Sequence, residues 1–178
     1  MKILAFAGSN SSRSINRKLV IHTLSYFDEE KITLLDLNDF EMPLFSVDRE
    51  RNDGYPHKAH QLLELISACD LMIVSLAEHN NSYTTAFKNV MDWCSRINGK
   101  FFQNKPMLLM STSPGGFGGG NVMNSAKAYF PKCSANILDT FSLPSFNQNF
   151  EEKEGIIHPE LRADFITKIK GLREGLKK

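Results

Sequence analysis

The sequence contains few cysteines and no long apolar run, and each shortage excludes a class of protein. Cys69, Cys94 and Cys133 are odd in number and show no Cys-x-x-Cys spacing, so neither a disulfide framework nor a zinc site is indicated. No run reaches the roughly 20 apolar residues of a membrane span, and the apolar run at residues 3–7 is too short for a signal-peptide core. We therefore expect reduced, buried thiols in a cytoplasmic protein that does not enter a membrane.

The sequence also lacks an excess of charge of either sign. Its 21 lysines and arginines balance 20 aspartates and glutamates, which leaves a formal net charge of +1. Such a chain has no broad positive field to attract nucleic acid, which we exclude as a partner. With 178 residues, of which 42% are hydrophobic, the chain is long enough to bury one sizeable core. We expect a single domain over residues 1–178.

The most informative stretch, residues 8–19, joins a short apolar run to an amphipathic one and contains four serines together with Arg13. A loop that leaves a strand and opens a helix directs free backbone N–H groups and the positive helix end at one point, which suits a phosphate dianion. The Gly-x-Gly-x-x-Gly pattern of dinucleotide sites is missing. The stretch therefore indicates a mononucleotide site, and the alternative is a serine-rich turn that caps the helix.

Apolar runs alternate with helical patterns along the whole chain. Strands are predicted at residues 2–7, 31–37, 71–76, 107–110 and 136–141. Ser14 is expected to cap the first helix, whose polar face carries His22. Further helices are predicted at 57–69, through Phe87 to Ile97, at 122–130 and from Pro159 onward. Residues 38–56 are predicted to be irregular, with a solvated turn at the charged run 48–51, and residues 145–155 to be a polar excursion.

This alternation predicts an α/β fold, a doubly wound five-stranded parallel sheet with helices on both faces. If the strands follow the flavodoxin-like order 2-1-3-4-5, the first, third and fourth strands are neighbours and their following loops share one rim. Those loops are the serine-rich one, the polar segment 77–82, and residues 113–120, where five of eight residues are glycine. Ligands of such sheets bind at this rim.

Together the three loops resemble those of the NADPH-dependent FMN reductase family, flavodoxin-like flavoproteins that include NAD(P)H quinone and azo reductases. The family's Gly-Ser-x-Arg-x-x-Ser-x-Asn motif is matched by Gly8, Ser9, Ser14 and Asn16, with the arginine displaced to Arg13. A Ser-Pro-Gly turn that continues into further glycines is matched by residues 113–116.

The family's second motif, Pro-Glu-Tyr-Asn-x-Ser, is matched here in part. Glu78, Asn80 and Ser82 agree with it, whereas Ala77 and His79 stand where the family has proline and tyrosine. An imidazole covers less of a flavin than a phenol does, and it can change charge near neutral pH. The motif continues in the following helix at Lys88, Asn89, Asp92 and Trp93.

The resemblance implies FMN as cofactor, NADPH or NADH as co-substrate, and a quinone, azo compound, free flavin or similar small molecule as electron acceptor. It implies that the FMN phosphate is surrounded by Ser9, Ser11, Arg13, Ser14, Ile15 and Asn16. The isoalloxazine ring would be lined by Ala77, Glu78, His79, Asn80, Ser113, Pro114, Gly115 and Gly116. Because a flavin carries its own redox chemistry, neither a catalytic side chain nor a metal is required.

Two other functions remain open on the same fold. A flavodoxin-like electron carrier would bind FMN but dock to other redox proteins, although such carriers are usually strongly acidic. A non-catalytic protein could use the rim for a partner or another anion, which the replacements at Ala77 and His79 leave possible. The resemblance also implies a homodimer or homotetramer, to which Trp93 and the apolar residues of 42–45 are expected to contribute, although Trp93 at helical spacing also fits a core position.

Overall fold

The computed structural model describes residues 1–27 and 30–176; residues 28, 29, 177 and 178 of the predicted domain lie outside the described residues. In chain order the elements are β1 (Lys2–Gly8), α1 (Ile15–Leu24), β2 (Lys31–Leu35), α2 (Val47–Asp53), α3 (His57–Ala68), β3 (Leu71–Leu76), β4 (Glu78–His79), β5 (Ser82–Tyr83), α4 (Thr85–Ile97), β6 (Pro106–Thr112), α5 (Gly120–Tyr129), β7 (Asn136–Leu143), α6 (Phe146–Asn149), β8 (Phe150–Glu151), β9 (Gly155–Ile156) and α7 (Pro159–Gly175). Short 3-10 turns cover Leu37–Phe40 and Phe130–Cys133.

The centre of the molecule is a five-stranded sheet in the order β2-β1-β3-β6-β7, and all four of its strand pairs are parallel. Counted among these five strands alone, the order is 2-1-3-4-5, which confirms the prediction. In this order β1 lies between β2 and β3, so the chain reverses its direction of winding after β2. The carboxyl ends of β1, β3 and β6 are therefore adjacent at one edge of the sheet.

Successive residues of the central strands feed two separate hydrophobic cores. Leu4, Phe6, Met72 and Val74 pack with α3, α4 and α5 on one face. Ile3, Ala5, Leu71 and Ile73 pack with α1 and α7 on the other. Because a strand covered on both faces buries every side chain, β1 and β3 are continuous apolar runs in the sequence rather than alternating ones.

The helices that cover the sheet follow from apolar spacing. In α3 the buried residues Ala59, Leu62, Leu63 and Ile66 form one stripe, and the helix begins at the predicted His57. In α1 the Ser14 hydroxyl accepts a hydrogen bond from the Arg17 amide (3.2 Å), as expected for its cap. Within the described ranges, none of the helices is long and apolar enough to cross a bilayer.

The prediction that residues 38–56 are irregular is confirmed at 41–46 and 54–56 but is wrong for the charged run. The charged run lies in α2, a helix of seven residues whose Ser46 cap accepts from the Arg49 amide (3.2 Å). None of the α2 side chains is buried, so the helix has no apolar stripe by which a sequence pattern could identify it. Segment 145–155, predicted as a polar excursion, contains α6 and the two-stranded hairpin β8–β9.

His22 lies beside Lys18 and Ser25, as predicted for the polar face of α1, but it is half-buried there. Its ring stacks on Phe165 (centroids 5.5 Å apart, interplanar angle 27°) and meets Tyr26 and Phe150 edge-on. The β8–β9 hairpin passes so close that a Cβ on Gly155, whose φ is +75°, would collide with the imidazole. Burial, reinforced by the positive charge of Arg162, lowers the pKa of His22 below its ordinary value.

The lowered pKa of His22 predicts a loss of stability on the acid side. As pH falls through about 6.5, His22 becomes protonated in the unfolded chain. In the folded chain it stays neutral until the pH reaches its lower pKa, so protonation favours the unfolded chain. The contribution is therefore complete above about pH 6.5 and is lost between the two pKa values. His22→Phe, which keeps an aromatic ring in the cluster, should flatten the fall in unfolding free energy between about pH 7 and 5. Urea unfolding of both proteins across this range checks it, and parallel pH profiles would contradict it.

Candidate functional site

The loops that follow β1, β3 and β6 meet at one edge of the sheet and enclose a cleft of about 260 Å³. Eleven of the fourteen residues predicted to bind the cofactor line it: Ser9, Ser11, Arg13, Ser14, Ile15, Asn16, Ala77, Glu78, His79, Ser113 and Pro114. Asn80, Gly115 and Gly116 are not among the lining residues and lie on the adjoining turns. The sheet order brings together loops that are about 70 and 35 residues apart in the chain.

Hydroxyl groups give the loop between β1 and α1 its shape. The Ser9 hydroxyl accepts from the Ser11 amide (3.2 Å), and the Ser11 hydroxyl accepts from the Arg13 amide (3.3 Å). A serine hydroxyl that accepts a hydrogen bond still has its own O–H to donate. The loop therefore offers hydroxyl donors on a backbone that is already fixed.

The amino end of α1 is open to an anion. The first turn of a helix leaves N–H groups without intrahelical partners. The Ser14 hydroxyl accepts from the N–H of Arg17. The N–H groups of Ile15 and Asn16 remain available to a ligand. There is no acidic residue in the first turn, and the exposed Arg13 precedes it. This end of the cleft therefore combines backbone donors, hydroxyls and one guanidinium, and the first turn of α1 adds no carboxylate.

The Asn16 side chain lies under this loop and is occupied by the protein itself. Its Oδ1 accepts from the Ser75 hydroxyl (2.7 Å) and the Thr112 amide (3.0 Å), and its Nδ2 donates to the Thr112 carbonyl (3.1 Å). Only 2% of Asn16 is exposed. The side chain therefore joins α1 to the ends of β3 and β6, and its backbone N–H is in the first turn of α1, where it lacks an intrahelical partner.

The polar segment after β3 forms a small hairpin rather than an open loop. Glu78 pairs with Tyr83 and His79 with Ser82 across two short antiparallel strands. Asn80 and Asn81 form the turn with φ of 49° and 61°, as a two-residue turn of type I′ requires. His79 is exposed on this hairpin, whereas Glu78 is half-buried.

Glu78 is directed at the start of α5. Its Oε2 accepts from the Val122 amide (2.8 Å) and its Oε1 accepts from Asn121 Nδ2 (3.2 Å). A carboxylate is favourable there because the helix end is partially positive. The amino end of α5 is thus closed by a carboxylate, whereas that of α1 has none.

Some glycines of the turn between β6 and α5 are required by the fold. Gly118 and Gly119 have φ of 61° and 77°, and a Cβ on either would approach the β6 or β7 strand ends to 3.0 Å. Gly115 and Gly116 face no such demand, since a Cβ there would make only ordinary contacts. Their missing side chains instead leave the region beside Ser113 and Pro114 open.

Sequence reasoning missed two residues of the site. Thr112 lines the cleft at the end of β6 and was visible only as a polar residue after a buried strand. Asn121 joins Glu78 to the hairpin turn by also donating to Asn81 Oδ1 (3.0 Å). An asparagine at a helix start normally indicates local capping, and a contact 40 residues away leaves no local pattern.

The site carries neither a metal centre nor a reactive thiol within the part of the chain that the structure describes. Among these residues no group of three or more His, Cys, Asp or Glu could hold a metal ion. All three cysteines are free and buried, as predicted. Burial raises the pKa of the Cys94 thiol to about 12 and also raises the pKa of Cys69, which keeps both protonated.

The fold and the cleft define a class: a flavodoxin-like α/β protein whose cleft is lined by the serine-rich loop after the first strand. Residues 1–148 match the model of the NADPH-dependent FMN reductase family. The chain belongs to this family, which confirms the prediction made from the three loops. The predicted class, an oxidoreductase with FMN and NAD(P)H, agrees with the relatives' names.

Several curated proteins are similar over part of their length. The quinone reductase of Escherichia coli K12 is 32% identical over 79 residues, which cover 44% of this chain and 42% of that protein. The NADPH azoreductase of Bacillus sp. OY1-2 is 28% identical over 138 residues, 78% of this chain and 73% of the relative. The NAD(P)H-dependent FMN reductase PA1204 of Pseudomonas aeruginosa is 29% identical over 66% of this chain and 63% of its own.

Solved structures agree with the fold over nearly the whole chain. The NAD(P)H:(acceptor) oxidoreductase FerB of Paracoccus denitrificans has a TM-score of 0.75 at 20% identity, over 99% of this chain and 97% of its own. An FMN-dependent NADH-azoreductase of Bacillus anthracis, solved in complex with FMN, has a TM-score of 0.69 at 13% identity, over 99% of this chain and 100% of its own. At these identities the likeness establishes the fold alone.

The contacts of Asn16 predict that its amide is essential to the stability of this edge of the sheet. Asn16→Ala leaves the buried N–H and carbonyl of Thr112 without partners, at a cost of about 2–4 kcal/mol in unfolding free energy. Ser75→Ala is the matched control. It removes one donor but leaves both Asn16–Thr112 bonds, so it should cost only about 1 kcal/mol. Urea unfolding at neutral pH measures both, and equal losses would mean that the Thr112 bonds contribute little.

Proposed function

We propose that the protein holds FMN in the cleft at the ends of β1, β3 and β6 and passes electrons from NAD(P)H to a small acceptor. Quinones, azo compounds and free flavin are the acceptor classes, supported by relatives named quinone reductase, azoreductase and FMN reductase. The observation that carries the proposal is the open amino end of α1, which lies in one cleft with the other two loops.

The phosphate end is assigned to the loop after β1. The N–H groups of Ile15 and Asn16, the hydroxyls of Ser9 and Ser11, and the Arg13 guanidinium supply donors of the kind that a phosphate dianion needs. The carboxylate of Glu78 is held at the start of α5. A dianion is therefore favoured at α1, where no first-turn acid repels it.

The flat ring is assigned to the space between the hairpin of β4 and β5 and the turn that follows β6. Ala77 and His79 line one side, Ser113 and Pro114 line the other, and the bare backbone of 115–116 leaves room beside them. FMN, when bound, supplies the hydride and electron chemistry. The residues of the chain bind and orient it, and backbone N–H groups beside its pyrimidine edge would stabilise negative charge there.

One purification tests the proposal against its two rivals. The protein should bind FMN in fluorescence titration, and NADPH or NADH should bleach the bound flavin, whose colour a quinone then restores. Binding of FMN without bleaching by either nicotinamide would identify an electron carrier. No binding of FMN, with no shift in melting temperature, would leave a non-catalytic protein on the same fold.

Arg13→Ala tests the assignment of the phosphate end. Loss of one charged hydrogen-bonding group costs roughly 1.5–3 kcal/mol, so the FMN dissociation constant should rise at least about tenfold. The effect should appear in affinity rather than in turnover at saturating FMN, because the phosphate is remote from the redox chemistry. Arg162→Ala, a change of the same charge on the exposed side of α7, is the control and should bind FMN as the unaltered protein does.

We also propose that the chain is a single FMN-binding domain that works in the cytoplasm as a homodimer or homotetramer. Three free, buried cysteines support a reducing compartment. For the interface, the segment around the start of α2 exposes apolar side chains, with 64% of Leu44 and 56% of Val47 accessible. Trp93, expected to contribute directly, is only 1% exposed, so that expectation is wrong for its side chain.

Trp93 instead holds segment 42–45, which is part of the proposed interface, from the core side. Its Nε1 donates to the Pro43 carbonyl (2.7 Å), and Asn89 Oδ1 accepts from the Phe45 amide (2.8 Å). Trp93 and Asn89 both belong to α4, so segment 42–45 is held in place before any partner arrives. An anchored apolar segment loses little conformational entropy on association.

Light scattering at micromolar concentration should give the mass of an oligomer. The double variant Leu44→Asp/Val47→Asp should shift it toward the monomer, because two charges would be buried in the interface. Ile21→Asp, at an exposed apolar residue of α1, serves as control and should leave the mass unchanged. A monomeric mass for the unaltered protein would contradict the assignment.

A further inference from the structure

The hairpin of β4 and β5 and the start of α5 are joined by three hydrogen bonds. Both Glu78 oxygens accept from α5, from Asn121 Nδ2 (3.2 Å) and from the Val122 amide (2.8 Å). Asn121 Nδ2 donates a second time, to Asn81 Oδ1 (3.0 Å) at the tip of the hairpin. We call these contacts the Glu78–Asn121 clamp.

The clamp replaces a local cap that α5 lacks. The residue before the helix is Gly119, which offers no side chain to cap it. The N–H of Val122 is therefore satisfied by a carboxylate that comes from 44 residues earlier in the chain. Because the helix end is partially positive and the carboxylate negative, the contact ties the two segments more firmly than a neutral bond would.

The two segments joined by the clamp both line the cleft. The hairpin supplies Glu78 and His79, and the turn that leads into α5 supplies Ser113 and Pro114. Among the described residues, the hairpin's strands are two residues long and pair only with each other. Besides the stacking of Tyr83 on Phe130 at the far end of α5, the bonds of Glu78 and Asn121 fix the separation of these two segments at the cleft.

We propose that Glu78 is a positioning residue, which acts through Asn121 and the Val122 amide to set the width of the cleft, and that it does not transfer protons. The inference rests on the proposed function in that FMN is taken to occupy this cleft. It gives the carboxylate beside the ring a role that needs no exchange of a proton with the substrate. It also makes Asn121, which does not line the cleft, a determinant of flavin affinity.

Exchanging the two side-chain types tests the clamp. Glu78→Gln removes the negative charge from both bonds to α5, and in Asn121→Asp two carboxylates face each other, so each single variant weakens the clamp. In the double variant Glu78→Gln/Asn121→Asp, the introduced amide NH₂ donates to the introduced carboxylate, and the introduced amide carbonyl still accepts from the Val122 N–H. Glu154→Gln, at an exposed glutamate of the β8–β9 turn, is the matched control.

Each single variant should raise the FMN dissociation constant about tenfold, the size expected for a lost charge-assisted bond, and the double variant should return to within about threefold of the unaltered protein. In the apoprotein, amide hydrogen exchange at residues 78–83 and at Val122 should quicken in both single variants and slow again in the double variant. The shape of the pH profile of kcat in Glu78→Gln should match that of the unaltered protein, whereas loss of a proton-transferring carboxylate removes one limb.

The two readouts separate failure of the clamp from failure of the proposed function. If the unaltered protein binds FMN but the single variants keep its affinity and exchange rates, or the double variant shows no rescue, the clamp does not position the site. If the exchange rates follow the predicted pattern while the unaltered protein binds no FMN, the clamp is supported and the proposed function is contradicted. A lost limb in the Glu78→Gln profile would assign Glu78 to proton transfer instead.

Discussion

The candidate site depends on one buried amide, that of Asn16. Its three hydrogen bonds join the start of α1 to Ser75 in β3 and to both backbone groups of Thr112 in β6. An amide taken out of water is tolerated only when its donors and acceptors find partners, so these three segments must meet in one arrangement. The loop after β1 ends just before Asn16, and the other two loops of the cleft begin just after Ser75 and Thr112.

The two helices that begin at this edge of the sheet differ in how their amino ends are capped. The amino end of α1 has a serine cap, no acid and Arg13 beside it. The amino end of α5 has no side-chain cap of its own and receives the Glu78 carboxylate. Both ends carry the same partial positive charge, and filling one while leaving the other open directs an anionic group to α1. The charge distribution therefore favours one orientation of an anionic ligand in the cleft.

Features encoded by local pattern were predictable, and those created by distant contacts were not. The strand Leu71–Leu76 and the helix start at His57 follow from apolar runs and spacing, and three motifs in order identified the family and most of the cleft residues. By contrast, α2 buries no side chain and so shows no stripe, and the hairpin strands at Glu78–His79 are too short to form a pattern. The surroundings of His22 come from Phe150 and Phe165, which lie far along the chain, and the partners of Asn16 are equally remote.

The contact between Trp93 and Pro43 has an optical consequence. Trp93 is the single tryptophan of the chain, and its indole is buried edge-on against Phe45, with ring centroids 5.0 Å apart. All tryptophan emission therefore originates at the joint between α4 and segment 42–45. Any event that loosens this contact exposes one known indole to water, so the tryptophan fluorescence of the protein reports whether segment 42–45 is held against α4, and no attached dye is needed.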